Sequence, residues 1–403
     1  MIYGKTRFGC RMDNLEEILE GTKCGPSMGF YDVSQVTHHT FLMGDLNFRT
    51  DFGTGTSDAE DVEVEVGEGE GDACAVEIST DKKEEKERIH MEKFMKASDL
   101  VEKNNYEGLL TFDELGKMLT NEEAMVGWES LEPTFKPTFK VIKGKDTTEY
   151  NEQRIPSYTD RILFTSLDGM GDNLRPIEFG SAEGFSTSDH KPVFGSFEID
   201  KDENFTSQIM PEPPKKQCSE SKLSCTLTFS DIKCRNLTEM DPAILGGGSD
   251  PYVEFSTLTS KFMELPGKKM GQLRKKWPKT DTIIHNLDPD FPDRVVLTVR
   301  VKNEDELRGK FLVLTVWDKD DFSVDDVIGS CVINCERFVD AMGVVEFNDL
   351  PLIRFGKKHG TISFKVDIYF PEDFGSSSRF SLSMRASLSM KGVDGLGGCC
   401  VVS

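Results

Sequence analysis

Between residues 200 and 222 the chain reads DKDENFTSQIMPEPPKKQCSESK, a polar, Pro-rich stretch whose two flanks differ in texture. That break constrains the fold more than any other feature, because such a stretch buries too little apolar surface to sit inside one core. Residues 199–222 therefore read as a linker. From Leu223 to about Tyr369 the text alternates apolar and polar residues in SCTLTFSDI, PYVEFSTL, RVVLTVRV, KFLVLTVW and GTISFKVDIYF. Gly, Pro and Asn turns separate these runs, which is the pattern of an all-β antiparallel sandwich over 223–370. Residues 1–198 mix helical and strand patterns instead. The last stretch, 371–403, is Ser-rich, lacks periodicity and reads as a flexible tail.

Charge is unevenly distributed. The formal net charge is −23, which argues against a nucleic-acid partner, since that needs clustered Lys and Arg. Residues 58–88 alone hold 13 acids against 4 bases. With GTGTSDAEDVEVEVGEGEGD at its start, the stretch 53–90 reads as an acidic disordered insertion, although 83–104 can form a charged helix. TFDE (111–114) has the Ser/Thr-x-x-Glu form of a capping box before Leu115 and Met118. KNNYEGLLTFDE (103–114) scans like a calcium loop, but Lys103 stands where an acid is needed, so a capped helix explains it. The 10 cysteines show no CxxC pair, the reading expected of cytosolic thiols. MIYGKTRFGC has no apolar signal-peptide core, and no run of about 18 apolar residues occurs.

Three patches in the first unit carry chemistry: GDLNFR (44–49), RIPSYTDRILF (154–164) and STSDHKPV (186–193). Each sets acids, an amide or an imidazole at a strand end, where neighbouring strands converge. Asp beside His orients an imidazole, carboxylates with water suit Mg²⁺, and Lys and Arg suit phosphate. In this order the patches resemble the inositol polyphosphate 5-phosphatase family, together with LLTFDEL (109–115) and PTFKPTFK (133–140). The resemblance implies an α/β DNase I-like four-layer sandwich, incomplete here, that hydrolyses the 5-phosphate of phosphoinositides or soluble inositol polyphosphates with Mg²⁺.

On that resemblance Asp45 positions or deprotonates water and Asn47 holds the phosphoryl oxygens. His190 hydrogen-bonds the phosphoryl group with Asp160 behind it, and Asp189 stands at the metal's outer shell. Lys140, Arg154, Arg161 and Lys191 supply positive charge. The family pattern departs at Phe139, where a Tyr is usual, and near Glu152, where a Lys is usual. Few residues precede Gly44, so the metal-ligating Glu of the family has no counterpart, and the unit reads as an N-terminally truncated domain.

In the β segment, EMDPAILGGGSDPYVEF (239–255) and VWDKDDFSVDDVIG (316–329) place acids in two loops. Carboxylates gathered at one end of a sandwich repel unless a cation neutralises them, and hard oxygen ligands select Ca²⁺. With SDPYV and HNLDPDF in order, this unit resembles a C2 domain. The resemblance implies Asp241, Asp250, Asp318, Asp320 and Asp326 as calcium ligands that bridge to an anionic membrane. KKMGQLRKKWPK (268–279) adds 6 basic residues around Trp277, a pattern that reads as phosphoinositide binding. CVVS (400–403) is a CaaX box, which places farnesyl on Cys400 with Cys399 open to palmitate. Two readings follow: a membrane-recruited, cytoplasmic, peripheral 5-phosphatase, or a catalytically inactive adaptor built on a lipid-anchored C2 module.

Overall fold

The computed structural model describes residues 7–23, 31–53, 80–200, 224–240, 248–258, 262–264, 277–301, 303–320, 324–339, 341 and 343–371. The first unit is built on strands β1 (His39–Asp45), β2 (Glu129–Ser130) and β3 (Asp160–Ser166), with β3 in the middle. β1 runs antiparallel to β3, so that Phe41 faces Phe164, Leu42 faces Leu163 and Asp45 faces Asp160. Strand residues alternate in direction. Leu42 and Leu163 accordingly join a core with Leu15 and Leu19 of helix α1 (Arg7–Gly21). Phe41 and Phe164 face the other way.

That second face is covered by a hairpin, β4 (Leu174–Ser181) with β5 (Val193–Ile199). Phe197 stacks edge-on against Phe41 at 4.8 Å and lies 5.5 Å from Phe164. The approach is close enough that a Cβ at Gly195 would lie 2.8 Å from Ile162 Cδ1. β5 follows the apolar text of VFGSFEI. β4 escaped sequence reading because Pro176 interrupts it.

Helices α2 (Thr80–Glu102), α3 (Tyr106–Leu110) and α4 (Glu114–Thr120) flank this sheet. Because α2 starts at Thr80, the end of the 53–90 stretch is helical rather than irregular; residues 54–79 lie outside the described residues. The expected capping box is displaced. Asn105 caps α3 through the Gly108 N–H at 3.0 Å, Thr111 closes that helix, and Asp113 caps α4 through the Gly116 N–H at 2.9 Å. Glu114 turns away to accept the Arg49 backbone N–H at 2.7 Å. The short helix α3 takes up Thr111 before it can cap the next one.

Asp113 has a second role that corrects an expectation for Arg161. Asp160 and Arg161 are consecutive strand residues and so point to opposite faces. Arg161 runs inward, pairs with Asp113 at 2.7 Å and donates to Ser130 Oγ at 2.9 Å, its side chain 3% exposed. It therefore pins α4 and β2 to β3 instead of meeting a ligand.

The second unit comprises β6 (Ser224–Arg235), β7 (Pro251–Thr257), β8 (Asp290–Phe291), β9 (Val295–Arg300), β10 (Phe311–Asp318), β11 (Asp326–Asn334), β12 (Val344–Arg354) and β13 (Lys357–Tyr369). The strand order is β7-β10-β11-β12-β13-β6-β8, with β9 also on β6. β11 and β12 share the single pairing of Ser330 with Ile353, where the ladder turns a corner between the two layers. Alternate residues of β6 (Cys225, Leu227, Phe229) point into the core, where Phe229 meets Phe255 at 4.8 Å and Phe347 stacks on Phe364. Among the described residues no helix is long and apolar enough to cross a membrane.

Removing one partner of a buried ion pair leaves an uncompensated charge, a loss of about 3–5 kcal/mol. Arg161→Met should cost that much in urea unfolding, and Asp113→Asn added to it, which removes the orphaned charge and keeps a capping side chain on α4, should recover part of the loss.

Candidate active site

The antiparallel register fixes where the polar residues meet. β1 ends at Asp45 and β3 begins at Asp160, directly opposite. Past Asp45 the chain turns sharply. Asn47 takes a left-handed conformation (φ 62°), which asparagine tolerates, and its backbone N–H donates to Asp45 Oδ1 at 3.0 Å. Its side-chain carbonyl accepts from Arg49, whose guanidinium lies 4.4 Å above the Phe139 ring. The Phe139 ring in turn stacks on His190, with centroids 4.6 Å apart. The one Phe139 ring thus contacts both Arg49 and His190, the imidazole tilted 40° to it.

His190 closes the group. Its Nδ1 lies 2.9 Å from Asp160 Oδ2, and its Nε2 lies 3.9 Å from Asp45 Oδ2. Asp160 Oδ2 also accepts the hydroxyls of Thr138 at 2.6 Å and Thr159 at 3.0 Å. Burial pushes the Asp160 carboxyl up, and hydrogen bonds from His190, Thr138 and Thr159 outweigh it and hold the group below its ordinary value. His190 moves the other way. Its bond to Asp160 raises its pKa, burial opposes this, and the Asp160, Asp45 and Asp189 charges add to the rise.

Such an arrangement fixes the tautomer, with Nδ1–H toward Asp160 and Nε2 toward Asp45. The ligand atoms of Asp45, Asp160 and His190 lie within 4.8 Å of one another. Three donors already meet Asp160 Oδ2, however, and Asp45 is the more exposed of the two acids, so Asp45 is the carboxylate better placed to face a cation.

The remaining expected residues divide. Asp189 sits beside His190 at the rim, 3.5 Å from Lys143. Burial raises its carboxyl, and its own backbone N–H, Lys143 and His190 together hold it below the usual range. Lys140 donates to Gln153 Oε1 at 3.0 Å. Arg154 is near enough to Arg49 that, with burial first and Arg11 also contributing, it lowers the Arg49 pKa against the pull of Asp45.

Lys191 is not at the site. It is 2% exposed, and its Nζ donates to the carbonyls of Phe185 at 2.7 Å and Glu183 at 2.9 Å. Next to His190 in sequence, it points the opposite way and braces the loop behind. Thr138, Thr159 and Arg49 were missed from the sequence. Arg49 stood inside the GDLNFR patch, but nothing in the text told which way it turned.

Residues 83–196 match the family model described as Endonuclease/Exonuclease/phosphatase family 2, and residues 225–350 match the C2 domain model. The chain carries a DNase I-like phosphatase-type segment followed by a C2 domain. Similar curated proteins include Nitrophorin Cim l NP of Cimex lectularius, 36% identical over 26% of this chain and 32% of that protein. Phosphatidylinositol polyphosphate 5-phosphatase type IV of Mus musculus is 37% identical over 28% of this chain and 17% of its own length. Phosphatidylinositol 3,4,5-trisphosphate 5-phosphatase 2 of Homo sapiens is 21% identical over 83% of this chain and 22% of its own. The chain thus spans about a third or less of the curated relatives it matches. Among solved structures, a C2 domain of plant extended synaptotagmin 1 is 16% identical with a TM-score of 0.28, covering 38% of this chain and 100% of that one.

In the C2 domain, Asp318 ends β10 opposite Asp326 and Pro251, which brings three chain segments to one end of the sandwich. Asp318 Oδ1 accepts the Asp250 N–H at 2.6 Å, and Asp250 Oδ1 accepts the His285 N–H at 2.8 Å. Asp325, which the sequence did not single out, accepts the Tyr252 hydroxyl at 2.6 Å and the Asp320 N–H at 3.3 Å. Among the described residues these acids do not form a three-ligand group of the kind found at His190. Asp241, the basic residues 268–276, Cys399 and Cys400 lie outside the described residues.

The pKa directions set a pH window. His190, raised, stabilises the fold below about pH 6.5 and loses that contribution as pH climbs through its folded value. Asp160, lowered, contributes above about pH 3.9 and loses it as pH falls through its folded value. In metal-free protein, NMR titration should place the His190 imidazole above free histidine, and Asp160→Asn should bring it down. An unchanged midpoint in that variant would remove the pairing.

Proposed function

We propose that the chain is the site-bearing part of a phosphoinositide or inositol polyphosphate 5-phosphatase brought to membranes by its C2 domain. The observation that carries this reading is the imidazole of His190, held by Asp160 on one side and facing Asp45 across 3.9 Å on the other. A phosphate monoester is opened by water once its negative charge is met and the nucleophile is oriented. His190 carries a proton at Nε2 and donates it as a hydrogen bond to a phosphoryl oxygen. Asp160 keeps the ring charged and aimed. Asp45 orients the attacking water and accepts its proton as the bond from phosphorus to the ring oxygen breaks; solvent water protonates that leaving oxygen, and Asn47 holds the phosphoryl oxygens. Arg154 and Lys140 would face the ring phosphates, and Asp189 would stand at the outer shell of the metal. Two of the similar proteins, both phosphatidylinositol 5-phosphatases, support the substrate class.

Mg²⁺ fits the donors in part. It takes one or two carboxylates, keeps several waters and accepts substrate phosphate oxygens, so Asp45 would hold it and the ion would neutralise phosphoryl charge. A single outward carboxylate is a thin set, and that observation favours the second reading, an inactive adaptor.

Membrane recruitment is proposed to come from Ca²⁺ at Asp241, Asp250, Asp318, Asp320 and Asp326, which would bridge the loops to anionic lipid. Farnesyl on Cys400, with palmitate on Cys399 or the C2 domain as the second anchor, would keep a cytoplasmic protein peripheral on the membrane.

With Mg²⁺ present, the chain should release phosphate from phosphatidylinositol bisphosphate, and His190→Ala should lower kcat by about 10²–10⁴-fold. Lipid binding without any phosphate release by the unmodified chain would decide for the adaptor. On phosphatidylserine vesicles, sedimentation should increase with Ca²⁺ over chelator and lose that increment in Asp318→Asn with Asp326→Asn; equal binding with and without the ion would defeat the calcium bridge.

A further inference from the structure

β1 and β3 deliver Asp45 and Asp160 to the site, and the segments that flank their far ends, before His39 and after Ser166, meet the C2 domain. Before β1, Tyr31 Oη lies 3.2 Å from Thr315 Oγ1 and 3.3 Å from Ser256 Oγ. Gln35 Nε2 donates to Ser330 Oγ at 2.8 Å and lies within reach of the Ser330 and Ile353 carbonyls. After β3, Asp168 accepts the Asn334 N–H at 3.1 Å and two donors of Arg337, the Nε one at 2.8 Å. Leu167 and Met170 pack on Phe311. A Cβ at Gly169 would fall 2.7 Å from Asn334 Nδ2, so the chain there lies flush against the C2 domain.

The buried side of this contact is unusual for a sandwich. The outer face of an antiparallel layer is ordinarily solvated. Here Ser256, Thr315 and Ser330, small hydroxyls on β7, β10 and β11, are all buried, at 7%, 1% and 1% exposure. Their partners are Tyr31 and Gln35 of the phosphatase-type segment. The turn after β12 adds more: Phe355 joins the core of Leu15, Leu19 and Trp128, the Gly356 N–H donates to the buried Asp32, and the Val126 N–H donates to the Gly356 carbonyl at 2.9 Å. Contacts between domains of one chain are by default modest and permit relative motion. This one has an apolar core, backbone hydrogen bonds and a bidentate ion pair.

We propose that the C2 domain is a structural member of the site-bearing sheet: it clamps the ends of β1 and β3 opposite Asp45 and Asp160, so the two domains open as one cooperative unit. The clamp is independent of whether the chain hydrolyses phosphate, and it goes beyond a tethering role. Breaking the contact from the C2 side should loosen strands in the other domain.

The test is hydrogen exchange followed by mass spectrometry on the full chain. Arg337→Glu, a change wholly within the C2 domain, should speed exchange of the β3 amides, and of the β1 amides bonded to β3, by about tenfold or more. Asp168→Arg added to Arg337→Glu should restore protection by rebuilding the pair with reversed charge. Rates in β1 and β3 that stay at the unmodified level, while C2 amides respond, would overturn the proposal. The unmodified chain gives a second measurement should the variants fail to fold. In increasing urea its two domains should lose protection at one midpoint, and two separate midpoints would overturn the clamp equally.

Discussion

The register of β1 on β3 is the constraint on which the rest depends. Leu42 opposite Leu163 and Phe41 opposite Phe164 fix the pairing, because a one-residue slip would send the Phe41 ring into the helix-covered core that Leu42 fits and take it from its contact with Phe197. That apolar fit places Asp45 against Asp160, and the polar group is thereby a consequence of hydrophobic alternation several residues away. His190 is brought in from a different element, by pairing with Phe139 and by the stack between their rings. Each member of the group is thus positioned by something other than its own charge.

Within the group, hydrogen bonding decides the electrostatics. Burial alone would raise the Asp160 carboxyl and lower the His190 imidazole, which would neutralise both. The His190 hydrogen bond, joined by the threonine hydroxyls, reverses this on the acid, and the acid reverses it on the imidazole. The same bonds make Asp160 the less open cation ligand: His190, Thr138 and Thr159 all meet its Oδ2, and only Oδ1, 3.2 Å from His190 Nδ1, is left to turn elsewhere. Asp45, with a single backbone N–H on one oxygen, is the better candidate for that task.

Much of this was legible from the text. The alternating runs of the C2 domain and the apolar strands of the first unit are periodic over enough residues to be read directly. β4 and β12 were not, since Pro176 and Pro351 interrupt them and their outward residues leave the alternation weak. Asp45, Asn47, Asp160 and His190 converge as their motifs suggested. Arg161 and Lys191 do not, and the reason is directional: each follows a site residue in the chain, and an extended backbone sends neighbours to opposite sides. Charge type is visible in a sequence, but side-chain direction requires knowing the face. The contact between the domains left no trace in the text at all, because buried Ser256, Thr315 and Ser330 look like ordinary solvated strand residues until a partner covers them.

Net charge poses the last problem for a protein proposed to work at an anionic surface. At −23 the whole molecule is repelled by such a surface and by a polyphosphorylated substrate. Screening limits the repulsion to charges within about 8 Å at physiological salt. Much of the excess lies in residues 58–88, and it matters only if that stretch approaches the membrane. What counts locally is the sign of the contacting loops. In the C2 domain those loops carry Asp250, Asp318, Asp320, Asp325 and Asp326, and without a cation they would oppose contact. The proposed calcium at the C2 end answers that difficulty by neutralising the loop acids. If the two domains are clamped together, that correction of charge also fixes how the other end meets the surface.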